Sequence, residues 1–296
     1  MARTLHISRS VLLAATLAAP TLAQAQDGTR FVLQNGRSIP ITAVTVSGNN
    51  LNVTAAADGF NPGQTIPLAT VDHVYGTKPA GINQGVALLL TGKHEDARRL
   101  LTPIVASEKI TAKYPGNYWV EAARALLLAE ALRGDGPTCT ALGKEISDAT
   151  PEQGTDPFVG LSKALLMPAL TTKASDREVA LRDLMIESQP ADVAAFASYF
   201  RGNLLIEEKR KPEALEAYLT TPCLYPSAGL VITAACEVKA ADLLLEMKRP
   251  DEALALANSA TRGAPGTVIA EEAKKRIESL KTSTDDASQN TESNQP

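Results

Sequence analysis

The chemistry open to this chain rests on few side chains. After the first 25 residues only two histidines remain, His73 and His94. His94 opens a helical stretch as His94-Glu95-Asp96, and a two-histidine zinc site on a helix needs a second His four residues on, where Arg98 stands. His73 alternates with Val71, Val74 and Tyr75 in a strand pattern, which gives it a surface or internally satisfied place. Cys139, Cys223 and Cys236 lack the close two-cysteine spacing that zinc or redox work requires. Gly160-Leu161-Ser162-Lys163-Ala164 lacks the final glycine of a nucleophile elbow, and Ser162 directly beside Lys163 does not place base and nucleophile on one helical face. Neither a phosphate-binding loop nor a dinucleotide fingerprint is present. The expectation is a non-enzymatic chain with no metal and no cofactor.

Recognition and cross-linking remain. Tyr114, Tyr118 and Trp119 are the densest aromatic group in a chain only 4% aromatic, at the start of a helical stretch. Two readings stand for them: anchors for a partner, or a cap on the core between the first two helical hairpins. Tyr199, Phe200 and Tyr225 read as packing. Cys223 and Cys236 flank one corner between helices, so they either form a bridge, with Cys139 left over, or remain with it as three separate thiols.

The elements that must carry these residues fall into four stretches. Arg3 and Arg9, the apolar run Val11 to Ala19 and the pattern Ala23-Gln24-Ala25 have the form of a secretory signal peptide, residues 1–25, with cleavage after Ala25. Its apolar run is far shorter than the roughly 20 residues of a membrane span. The expected location is therefore a bacterial periplasm, without a membrane span. Loss of two Arg and no acids takes the net charge from −4 to −6, and without a large basic cluster nucleic acid is not an expected partner. Glu207-Glu208-Lys209-Arg210-Lys211 reads as a solvated turn.

Residues 27–78 read as a small antiparallel β module. Phe31 and Leu33, Ile39 and Ile41, Val44 and Val46, and Leu51 and Val53 alternate, cut by Asn35-Gly36 and Ser47-Gly48-Asn49-Asn50. Ile66, Leu68, Val71 and Val74 complete four or five strands, similar in pattern to SH3-like or Sm-like barrels. A unit this small buries little core and is expected to lean on its neighbour. Residues 81–280 then carry eleven helical segments near 82–92, 94–107, 117–133, 137–148, 157–170, 174–188, 191–209, 211–220, 227–247, 250–262 and 267–280. Proline marks several starts, since its missing N–H has no partner there anyway. The tail, 281–296, is almost free of apolar residues and is expected to be disordered.

A single spacing recurs along the helical segments: a small residue, Leu three positions on and Ala twelve positions on. The copies are Gly85, Leu88, Ala97; Ala129, Leu132, Ala141; Gly202, Leu205, Ala214; and Ala241, Leu244, Ala253. Leu101 and Tyr218 stand as large residues on second helices, and the last two copies close on Pro226 and Pro265. The pattern resembles the tetratricopeptide repeat family. It departs in Lys109 and Gln153 at the proline position, in Glu145 and Ala257 at the large position, and in anchor spacings of 44 and 39 residues. The resemblance implies a mainly α fold, an α-α superhelical solenoid of helical hairpins behind the β module. It also implies an adaptor that binds another envelope protein or peptide through its array. A small-ligand or enzymatic site at the β–helix junction near His73 and Tyr75, and self-assembly, are the alternatives.

Overall fold

The structure, a computed structural model, describes residues 28–151, 154–168, 171–186 and 189–292. The expected signal peptide and the last four residues lie outside them. Six short strands form first: β1 (Arg30–Leu33), β2 (Ser38–Pro40), β3 (Val44–Ser47), β4 (Asn50–Val53), β5 (Thr65–Pro67) and β6 (Val71–Tyr75). They pair antiparallel in two three-stranded sheets, β2-β1-β6 and β3-β4-β5. Gly36, at φ +78°, turns β1 into β2, and Leu33 N–H donates to the Arg37 carbonyl at 2.8 Å. The alternation read from the sequence places Phe31, Leu33, Ile39, Leu51, Val53, Ile66 and Val74 inside. Val46 is the exception at 45% exposure, because only the first residue of β3 faces the core.

The β module does rest on the helices. Ile110 and Tyr114 close its core, the Tyr114 ring standing edge-on to Phe31 at 5.4 Å between centroids. Val74 N–H donates to the Pro115 carbonyl at 2.8 Å, so the free edge of β6 is covered. Gly116 makes that approach possible: a Cβ there would stand 2.4 Å from the Val74 carbonyl oxygen. Thr29 Oγ1 donates to Glu108 Oε1 at 2.9 Å across the same junction.

Among the described residues eleven helices follow: α1 (Ala80–Leu90), α2 (His94–Glu108), α3 (Trp119–Arg133), α4 (Gly136–Ala149), α5 (Pro157–Leu166), α6 (Ala174–Arg182), α7 (Ala191–Glu207), α8 (Lys211–Leu224), α9 (Leu230–Glu246), α10 (Pro250–Gly263) and α11 (Val268–Glu292). The chain is thus mainly α. Asp135 and Asp156 cap α4 and α5, accepting from Thr138 N–H and Phe158 N–H at 3.0 Å each, with proline in the first turn. The tail expected to be disordered from residue 281 instead continues α11 to Glu292. No Gly or Pro interrupts 281–292, so a helix already nucleated by its packed first half propagates. Among the described residues no helix is long and apolar enough to cross a membrane.

Hairpin packing uses the small residues. A Cβ on Gly85 would lie 2.6 Å from Leu101, and one on Gly202 would lie 2.5 Å from the Tyr218 ring. Ala97, Ala129, Ala214, Ala241 and Ala253 are fully buried. Ala141 is exposed, and Cys139, Leu142 and Ile146 form the buried face of α4 in its place. The odd-numbered helices also meet one another in turn, α1 with α3, α3 with α5, α5 with α7 and α7 with α9. α1 then packs against α9 and α11, so the first and last hairpins touch. An open array would confine contacts to neighbouring repeats.

Candidate functional site

Residues of the five helices α1, α3, α5, α7 and α9 converge on one concave mouth of about 580 Å³. It is lined by Val86 of α1, Glu121 and Arg124 of α3, Phe158 of α5, Asp192 and Phe196 of α7, and Leu230 to Ile232 of α9. Glu121, Phe158, Asp192 and Leu230 stand within the first three residues of their helices, and Val86 lies midway along α1. Val86, Ala125, Phe158, Phe196 and Val231 supply apolar walls, with Phe158 and Phe196 edge to face at 5.7 Å.

The cations in the mouth are held by acids. Arg124 donates through Nε at 3.1 Å and Nη2 at 2.6 Å to Oδ2 of Asp156, a carboxylate with no exposed surface. The other guanidinium nitrogen lies 3.6 Å from Asp192, and the guanidinium carbon sits 5.0 Å from the centre of the Phe158 ring. Asp156 thereby joins two tasks, starting α5 and fixing Arg124. Lys78 pairs with Glu121 at the rim. The exposed lining is mixed and apolar in its larger part, and Leu230 is 69% exposed at the start of α9, after a turn through Gly229 at φ +119°.

On the far side of Phe196 the interior is filled. Tyr218 hydroxyl donates to Asn203 Oδ1 at 2.7 Å, Asn203 hydrogen-bonds Tyr199, and the Tyr199 hydroxyl donates to the Leu90 carbonyl. This chain of bonds ties α8, α7 and the end of α1. Burial pushes both tyrosine hydroxyls well above their ordinary pKa.

The residues singled out by sequence lie elsewhere. Trp119 is 1% exposed, Tyr118 is half-buried and donates to the Gly76 carbonyl at 2.6 Å, and Tyr114 packs on Phe31. Tyr114 and Tyr118 join helices to the β module, and Trp119 is packed in the helical core. Cys223 and Cys236 are not bridged. Cys236 is fully buried on the core face of α9 while Cys223 is exposed near the end of α8; burial pushes the Cys236 thiol up to about 12. Cys139 is also free and buried, its thiol pushed up to about 11. His73 is half-buried against Asp72, and neither the mouth nor a second cavity at the opposite end of the helices reaches it or Tyr75. Among the described residues no group of three or more His, Cys, Asp or Glu could hold a metal ion.

Arg124, Asp192 and Leu230 were not legible as site residues. Arg124 is the one cation inside the apolar run of α3, a signal that could have marked it, and Asp156-Pro157 reads from sequence only as a helix start. No family model, no curated protein and no solved structure matches the chain, and the mouth is therefore read from its own side chains.

Proposed function

We propose that this chain is a non-enzymatic adaptor of the bacterial periplasm, which holds a segment of another envelope protein in the mouth formed by α1, α3, α5, α7 and α9. The observation that carries this reading is the combination of an open concavity, its exposed lining more apolar than polar, with charges that are already paired. Such a surface suits an apolar side chain on a peptide or helix better than a free ionic substrate. The resemblance to tetratricopeptide repeats and the signal-peptide pattern support it, since repeats of that family offer a partner the inner face of their first helices.

Leu230 is the exposed contact, and replacing it by Asp sets an unpaired charge where a partner side chain would sit. With a photo-crosslinking residue at Ala228, full-length protein in envelope extract is expected to yield a discrete adduct. Leu230→Asp should lower its yield at least about tenfold without changing the melting temperature. Equal yields from the two proteins, or no adduct from either, would refute the assignment.

A further inference from the structure

The opposite end of the same helices carries a second cavity of about 360 Å³, with a different electrostatic character. Lys239 of α9, Arg177 of α6 and His94 of α2 all line it, and the one carboxylate there, Glu207, is 66% exposed and 4.0 Å from Arg177. Lys239 and His94 are half-buried, and within the described residues neither side chain has a hydrogen bond or an ion pair. This contrasts with the first mouth, where Lys78 and Arg124 are held by acids. Nor is Lys239 required by the carbonyls that end α1. Those of Leu88, Leu89 and Leu90 accept from Lys93 N–H, Gly92 N–H and the Tyr199 hydroxyl. The rest of the wall mixes the polar groups of Thr91, Tyr199 and Asn203 with apolar Leu132, Leu165, Leu181, Phe200 and Leu204.

We propose that this cavity binds an oxyanion, a carboxylate or phosphate head on a short apolar stem. The head takes charge-assisted hydrogen bonds from Lys239 and Arg177, with His94 as a third ring donor, and the stem lies against the leucines and Phe200. The head group is the feature that three bases from three elements recognise, two of them unpaired among the described residues and the third held only at 4.0 Å. The volume limits the ligand to a small molecule or the end of a chain.

Calorimetric titration of the full chain with hexyl phosphate, and separately with hexanoate, tests this. Saturable one-site binding of at least one of the two is expected. Lys239→Met should weaken it at least about tenfold, while Lys144→Met, on the exposed side of α4, leaves it unchanged. Should Lys239→Met not fold by circular dichroism, Arg177→Gln carries the same expectation. Absence of saturable binding by both ligands, or equal affinity in the wild type and the folded variant, overturns the proposal. Leu230→Asp lies at the other mouth and is expected to bind hexyl phosphate normally, so the two sites fail or stand separately.

Discussion

Gly202 meets Tyr218 so closely that a single added methyl decides whether α7 and α8 can cross as they do. With a Cβ 2.5 Å from the ring and the Tyr218 hydroxyl already engaged with Asn203, the ring has no free direction in which to yield. Gly202→Ala should therefore destabilise the chain by about 1–3 kcal/mol, read from urea unfolding. Gly136→Ala, where a Cβ meets nothing within 4 Å, is the control expected to show no loss. At this scale the sequence was informative about packing: the small residues Gly85, Gly202, Ala214, Ala241 and Ala253 stand where their spacing put them. It was uninformative about the mouth. Arg124 and Leu230 become a site only through helices distant in sequence, and no spacing within the chain encodes that meeting.

At the scale of elements, the junction between the β module and α2 turns on one carboxylate. Glu108 is 5% exposed; Thr29 satisfies Oε1, and Oε2 is buried without a partner among the described residues. Burial raises its pKa, and the Thr29 hydrogen bond only partly opposes this. Below the ordinary glutamate value, about 4.3, the group is protonated both folded and unfolded, and its stabilising contribution is complete. As pH rises through the elevated folded pKa that contribution is lost, because the unfolded chain releases its proton first. Glu108→Gln removes the titration, so its stability relative to wild type should grow from pH 4 to pH 8. Parallel stability curves for the two proteins would refute this. The helices themselves were readable because prolines at 157, 212 and 250 lie in their first turns. α5 ends at Leu166 where Pro168 marks the stop, a signal that the expected bound of 170 ran through; α6 ends at Arg182, short of the expected 188, with no Gly or Pro before Pro190 to mark it.

At the scale of the whole molecule, contacts of α1 with α9 and α11 couple the two ends of the helical region. An array whose hairpins touch only their neighbours frays from its termini, with stability falling outward. Here native-state hydrogen exchange should give α1 and α9 the same opening free energy as α3 and α7. Protection declining stepwise toward either end would show that the closing contacts contribute little. This level was the least legible, because a repeat pattern describes how each hairpin meets the next and not how many steps bring the last one back to the first.

That count has an evolutionary side. A linear stack can gain or lose a hairpin and keep every remaining interface, so its length drifts freely under duplication. Once α9 rests on α1, an extra hairpin inserted between α8 and α9 would carry α9 away and open the wall of both mouths at once. Single-unit duplications in this stretch should therefore be purged, and the number of hairpins held fixed, even where individual residues are free to change.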